Sequence, residues 1–232
     1  MYARSAVYYD LIYGNKNYRA EVERLLSTVG GYRDQEGGTL LDVACGTGRH
    51  IEYLRDHFEV TGLDGCRQLL HHARRRCPDV EFHLADMRDF SLGMLFDVVT
   101  CLFSAIGHMT TFEDLVRALT RMSEHTAPGG LVVVEPWFTP DTWITGRPSA
   151  LLVERDDLKV ARLNTTWTEG NLAVFELHYL VARPEGVEHF TDRFELGLYE
   201  TDEMMDAFRQ AGLDPAYDEE GIAGRGLYVA RK

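Results

Sequence analysis

The stretch Leu40-Leu41-Asp42-Val43-Ala44-Cys45-Gly46-Thr47-Gly48-Arg49-His50 constrains this chain more than any other. An apolar run, Thr39 to Val43, enters a turn with two glycines, and a helix is expected from about Arg49. Gly46 and Gly48 lack a Cβ, so a ligand and the backbone can approach closely there. A helix start after such a turn offers unpaired N–H groups and a positive dipole end. A dinucleotide fingerprint needs G-x-G-x-x-G, and positions 44, 46 and 49 read Ala, Gly and Arg, so two of its three glycines are missing. Asp42, directly ahead of the turn, suits a ligand carrying ammonium and sulfonium charge better than a pyrophosphate. Those are the charges of S-adenosylmethionine (SAM).

The 232 residues, 45% hydrophobic, suffice for one large domain or a domain with a sub-domain, and no apolar run reaches membrane-span length. The start, Met1-Tyr2-Ala3-Arg4-Ser5, lacks the charged-then-apolar pattern of a signal peptide. Cys45, Cys66, Cys77 and Cys101 form no C-x-x-C pair, which reads as reduced thiols of a cytoplasmic protein and argues against a zinc site. With 24 Lys plus Arg against 37 Asp plus Glu, the net charge is −13. Such a surface repels nucleic-acid backbones. A small anionic substrate stays compatible with it if a few arginines converge locally.

Residues 2–29 read as helical, with Tyr2, Tyr8, Tyr9, Tyr13 and Tyr18 crowded at the front, as a lid over a cofactor or as an ordinary docking helix. Residues 30–38 are a polar, glycine-rich loop. Beyond the glycine turn, the helix is expected to run from Ile51 to His57. Phe58 to Leu63 is a second strand ending at Asp64, 22 residues after Asp42. At that offset a second-strand carboxylate meets ribose hydroxyls. Gln68 to Cys77 is a basic helix read as a solvated face. Val80 to Leu84 is a third strand, followed by Asp86, able to accept from an adenine amino group, and Met87, whose thioether suits a ring face. Phe96 to Cys101 leads into Phe103-Ser104-Ala105-Ile106-Gly107-His108, which falls at the carboxyl edge of a parallel sheet, where ligands bind. Leu115 to Thr126 is an amphipathic helix stopped by Pro128-Gly129-Gly130. Leu131 to Val134 reads as a strand buried on both faces, ending in Glu135-Pro136-Trp137. The repeated strand–helix order predicts an α/β, doubly wound, mostly parallel sheet of seven strands.

From about Ala150 to Tyr199 the pattern changes to half-buried strands at Leu151–Glu154, Lys159–Trp167, Leu172–Val181 and Glu188–Leu198. This predicts an inserted antiparallel β cap over 150–199, contributing to a substrate site or a dimer interface. Residues 1–149 and 200–232 would then form the cofactor domain. Thr201 is expected to cap a helix over Asp202–Ala211, with final strands at Asp214–Glu219 and Gly226–Ala230.

With those residues in view, the chain resembles the class I SAM-dependent methyltransferases. It is most similar to the N,N-dimethyltransferases of dTDP-linked 3-amino-deoxyhexoses of the mycaminose, desosamine and rhodosamine type, which serve antibiotic biosynthesis. The resemblance rests on Tyr9-Asp10-Leu11, Leu41 to Gly48, Asp86 to Phe90, Phe103 to His108, Val132 to Trp137, His178 to Ala182 and Gly224-Arg225-Gly226-Leu227, in the same order over nearly the whole chain. It implies that Tyr9 and Tyr18 lie near the methionyl part of SAM, that Ala44 lies in the turn beneath it, and that Tyr2, His108 and Arg225 lie near the sugar nucleotide. Asp64 stands where relatives usually carry Glu. The candidate cofactor residues are Tyr9, Tyr18, Asp42, Ala44, Gly46, Gly48, Asp64, Asp86, Met87 and Phe103. The candidate substrate residues are Tyr2, Ser104, His108, Glu135, Trp137, His178 and Arg225, with His108 the catalytic candidate and no metal ligands.

The expected reaction is N-methylation, once or twice, of the amino group of a dTDP-linked amino-deoxysugar. Membrane and nucleic acid are not expected partners; a homodimer is. Two rivals stand beside this reading: an O- or N-methyltransferase of another small molecule, which shares the glycine turn, and a SAM-binding protein without turnover, which would lack an acceptor pocket.

Overall fold

The computed structural model describes residues 4–33 and 36–232. The front of the chain does not form the single helix expected over 2–29. A 3-10 turn at Ser5–Tyr8 runs into α1 (Tyr9–Ile12), and α2 (Tyr18–Tyr32) starts afresh after a break. Asn17 enforces the restart, since its side chain accepts from the Ala20 N–H at 3.1 Å. The break lets α1 and α2 pack against different parts of the molecule.

The alternating region follows as β1 (Thr39–Val43), α3 (Ile51–Leu54), β2 (Glu59–Asp64), α4 (Arg67–Arg76), β3 (Glu81–Leu84), β4 (Phe96–Cys101), α5 (Phe112–Glu124) and β5 (Thr126–Val134). Helix α3 is shorter than expected. α5 closes at Glu124, and β5 begins ahead of Pro128-Gly129-Gly130, where Gly129 and Gly130 exchange backbone hydrogen bonds with Lys232. On α5 the apolar stripe Leu115, Ala118, Leu119 and Met122 is fully buried, while Thr111 accepts from the Asp114 N–H. Leu131 to Val134 have no exposed surface, as a central strand covered on both faces requires.

The cap comprises β6 (Ser149–Arg155), β7 (Leu158–Glu169), β8 (Leu172–Arg183) and β9 (Gly186–Gly197), all antiparallel. Then come α6 (Thr201–Gln210), β10 (Asp214–Asp218) and β11 (Leu227–Arg231). Thr201 is the first residue of α6 rather than its cap. Extended Glu200 takes the cap position, and Glu203 accepts from its N–H at 2.8 Å.

The main sheet has the order β10-β11-β5-β4-β1-β2-β3, and β11 alone runs against the others. Chain order reverses around β1, which pairs with β2 on one side and β4 on the other. A crevice therefore opens at the carboxyl ends of β1, β2 and β4, the ligand position of open α/β sheets. The cap lies over it with its inner face lined by Leu177, Tyr179, Phe190 and Phe194, and Tyr8 and Ile12 from the chain's front join that cluster.

Candidate active site

Each strand of the crevice ends in a differently held group. After β1 the backbone bends through Ala44 (φ +60°) and Gly46 (φ +58°). The Gly46 N–H donates to Asp64 Oδ2 at 2.8 Å, and the Cys66 N–H donates to Asp64 Oδ1 at 2.7 Å. The carboxylate at the end of β2 is thus fixed by both strand ends, with oxygen lone pairs left for a ligand. Burial pushes its pKa up against the pull of those two donors. After β3, Arg88 grips Asp86 through Nε at 3.0 Å and Nη2 at 2.6 Å, and reaches Asp114 at 2.9 Å. These bonds hold the Asp86 carboxyl below its usual range.

The end of β4 is strained. Phe103 (φ +52°) and Ser104 (φ +59°), with Ala44, are the non-glycine residues of positive φ among the described residues, and all three face the cavity. Each such backbone costs about 1–3 kcal/mol and needs surrounding support. Glu135, with no exposed surface, supplies it: Oε2 accepts from the Phe103 N–H at 2.6 Å, and Oε1 pairs with Arg225 Nη2. The Ser104 hydroxyl donates to the Pro136 carbonyl at 2.6 Å.

These groups open on one cavity of about 1260 Å³, roofed by the cap. It brings together Tyr9, Ala44, Gly46, Asp64, Asp86, Met87, Phe103, Ser104, His108, Trp137 and Arg225 from the expected set. Burial lowers the His108 pKa to about 4, so its imidazole is neutral at physiological pH. Trp137 Nε1 after β5, Arg225 Nε ahead of β11 and Arg162 Nε from the cap are buried donors without a hydrogen-bond partner among the described residues. Orphaned donors on a cavity wall call for a ligand rich in acceptors.

Five expected residues stand elsewhere. Asp42 is 2% exposed behind the turn, where it accepts from the Thr100 hydroxyl at 2.8 Å, and burial raises its pKa to about 6. Gly48 serves packing, since a Cβ there would lie 3.3 Å from the Ala73 Cβ on α4. Tyr18 is buried edge-on against His50 at 5.0 Å. Glu135 braces Phe103 and Arg225 without reaching the cavity surface. His178 is exposed on the outer face of β8, stacked on His189, because alternation sends Leu177 and Tyr179 inward instead. Tyr2 lies outside the described residues.

The cavity also recruits Tyr13, Trp143, Arg162, Asn164 and Phe194. Period-2 alternation along β7 placed Arg162, Asn164 and Thr166 on one face, the sequence signal for this wall. Arg76 likewise departs from its expected solvated setting, because its guanidinium reaches Asp10, Glu52 and the Thr47 carbonyl.

Comparison with known proteins points to one family. A methyltransferase domain model matches residues 40–130. Over 225 residues the chain is 44% identical to dTDP-3-amino-3,4,6-trideoxy-alpha-D-glucopyranose N,N-dimethyltransferase of Streptomyces venezuelae, covering 95% of this chain and 94% of that one. It is 38% identical to dTDP-4-amino-2,3,4,6-tetradeoxy-D-glucose N,N-dimethyltransferase of Saccharopolyspora spinosa, covering 95% and 90%. The SAM-bound structure of CalS10, an amino pentose methyltransferase of Micromonospora echinaspora involved in calicheamicin biosynthesis, superposes with a TM-score of 0.85 at 36% identity, covering 97% and 94%. Fold and site define a class I SAM-dependent methyltransferase. The cavity suits that cofactor: open space stands where a Gly46 side chain would be, and the Asp64 and Asp86 carboxylates face the same chamber. More narrowly, the chain belongs to the N-methyltransferase family of nucleotide-linked amino sugars.

Proposed function

We propose that this enzyme methylates, once or twice, the amino group of a dTDP-linked amino-deoxysugar in natural-product biosynthesis. The carrying observation is one chamber with two chemically different walls: glycine turn and carboxylates on one, and on the other Arg162 of the cap and Arg225 ahead of β11, each with an unsatisfied donor, in a chain whose net charge is −13. The relatives' acceptors are dTDP-linked amino sugars and agree with that second wall.

In this reading Asp64 accepts the ribose hydroxyls, Asp86 and Met87 hold the adenine, and Tyr9, Ala44, Gly46 and Phe103 border the methionyl end. Bound SAM supplies a methyl group on a sulfonium, already activated toward displacement. The protein's task is to aim the amine and keep water out. Arg225, oriented by Glu135, and Trp137 face the sugar nucleotide, and Ser104 and His108 face the amine. An amino sugar of pKa about 8, by analogy with an α-amino group, loses its proton at pH 7 for a little over 1 kcal/mol. His108 therefore orients the lone pair as a neutral hydrogen-bonding group.

The cap over 150–199 then serves two surfaces. Its inner face binds acceptor. Its outer face exposes Leu152, Leu163, Leu180 and Val187 and forms a homodimer interface. Four free cysteines suit a reducing, cytoplasmic setting, and among the described residues no helix is long and apolar enough to cross a membrane.

The test is incubation with SAM and a panel of dTDP-linked 3-amino and 4-amino sugars, with product masses read for one or two added methyl groups. Turnover of none of the panel, while SAM still binds, overturns the acceptor assignment. Light scattering that finds monomers at micromolar concentration overturns the dimer.

A further inference from the structure

The short helix α1 touches three regions at once. Tyr9, Ile12 and Tyr13 line the cavity. Tyr8 and Ile12 pack into the apolar inner face of the cap, where Arg183 donates to the Tyr8 hydroxyl at 2.6 Å. On the opposite side, Asp10 reaches the glycine turn. Its Oδ1 accepts from the Thr47 hydroxyl at 2.6 Å and from Arg49 Nε at 3.2 Å, and its Oδ2 accepts from Arg76 Nη2 at 2.6 Å. Arg76 also donates to the Thr47 carbonyl and pairs with Glu52 at 3.3 Å. One carboxylate thereby ties the front of the chain to the turn after β1 and to the end of α4.

We propose that Asp10 is a positioning residue for cofactor binding: bound to Thr47 and Arg76, it latches α1 over the cofactor side of the cavity and sets Tyr9 and Tyr13. The proposal rests on the SAM site described above. Three observations carry it beyond ordinary docking. The bonds to Asp10 are charge-assisted and converge from two separate elements, which fixes direction as well as distance. The latch partner Thr47 lies between the two glycines of the turn, so the same loop that faces the cofactor grips the helix above it. Tyr13 then meets Phe103 edge-on at 5.3 Å and accepts from Arg162 Nη1 at 3.2 Å, so the latched helix spans from the glycine turn to the arginine of the roof. A ligand seated under Tyr9 and Tyr13 enters and leaves through release of this helix. Two methylations of one amine demand cofactor exchange between them, and each exchange passes through the latch.

Asp10 touches no reacting atom, so its signature is a split between constants. Asp10→Asn keeps the size and removes the charge. Loss of a charge-assisted pair predicts SAM dissociation and Michaelis constants raised about tenfold. Turnover at saturating SAM, and the Michaelis constant for the dTDP-sugar measured there, change less than about threefold, because saturating cofactor recloses the helix. Asp10→Glu restores part of the affinity. Trypsin reports the same opening: Lys16 and Arg19, just beyond α1, are cut faster in Asp10→Asn without SAM and regain wild-type resistance at saturating SAM. Arg76→Gln, which leaves Asp10 in place, reproduces the affinity loss and carries the test if the first variant folds poorly. In the double variant the latch is broken only once, so affinity falls no more than about twofold below the weaker single variant. Unchanged SAM affinity in Asp10→Asn and Arg76→Gln, or losses that multiply in the double variant, overturn the latch. So does a loss of turnover that persists at saturating SAM.

Discussion

Replacing His108 with Asn separates two accounts of how the amine reaches the methyl group. Burial sets the His108 pKa at about 4. An ammonium of pKa about 8 transferring its proton to such an imidazole climbs about four units, or about 5 kcal/mol at 1.36 kcal/mol per unit. Releasing the same proton to water at pH 7 costs about 1.4 kcal/mol. The difference, about 4 kcal/mol, corresponds to a rate disadvantage of about 1000-fold for the route through His108. The cheaper route wins, and the imidazole is left with the task of orienting the amine. Asn offers a neutral hydrogen-bonding group near the same place, so the change forfeits about 1 kcal/mol, the worth of one ordinary hydrogen bond. Turnover of His108→Asn at saturating SAM and sugar nucleotide is therefore expected within about tenfold of wild type. Both proteins should speed up from pH 6.5 toward the amine's own pKa near 8, and neither should show a limb near the ordinary histidine value. The assay is product formation by mass across pH 6.5 to 9, with SAM and sugar affinities measured separately. A loss of about 100-fold that persists at high pH with binding intact, the mark of an obligatory general base, refutes the positioning account.

Three further outcomes are expected. Asp64→Ala removes the charged acceptor that two backbone N–H groups hold in place, and calorimetry should show SAM binding weakened by about 1.5–3 kcal/mol; unchanged affinity removes Asp64 from the site. Glu135→Gln strips the counter-charge from Arg225 and should lower stability by about 3 kcal/mol in denaturant titration, raising the Michaelis constant for the sugar nucleotide while SAM affinity holds within about twofold. An equal loss for both ligands contradicts the brace. For Asp42, the carboxyl rises from about 3.9 unfolded to about 6 folded. The group's contribution to stability is therefore full below about pH 4 and is lost as pH rises through 6, by up to about 3 kcal/mol. Asp42→Asn has no such titration, so its urea midpoint relative to wild type should climb between pH 4 and 6 and level above about 7. A pH-independent difference contradicts the burial account.

Strand positions in the alternating half were readable because parallel strands at the sheet centre are continuous apolar runs, and Leu131 to Val134 is one. The cap was readable from a different signal, period-2 alternation between turn residues. Asp64 and Asp86 were legible as cavity groups because their positions follow from where strands end. Asp42 and Glu135 were harder: a carboxylate at a strand's carboxyl end looks the same in sequence whether it meets a ligand or a buried hydroxyl and arginine. The choice depends on Thr100 and Arg225, 58 and 90 residues away. His178 lies in the expected strand, but it is flanked by the inward Leu177 and Tyr179, and one step along a strand sends a side chain to the opposite face. The left-handed backbone at Phe103 and Ser104 left no trace, since neither residue type favours that conformation and the support comes from Glu135 at the end of the neighbouring strand. The break after α1 had a local signal in Gly14 and Asn17, overridden by the helical periodicity around it.

Among the described residues, strands β6 to β9 form a sheet of their own and pair with no strand of the seven-stranded sheet. This separation has an evolutionary consequence. Replacing inward residues such as Asn164 or Thr166 leaves every backbone ladder of the seven-stranded sheet in place, and leaves the turn between Ala44 and Gly48 alone. Acceptor preference can drift one side chain at a time along β7 without interrupting methyl-donor binding. The same independence makes the cap a transplantable part. A graft of the segment between β5 and α6 from a relative with another amino sugar carries its own folding pattern, and has to match the recipient mainly where Tyr8, Ile12 and Tyr13 seat against it.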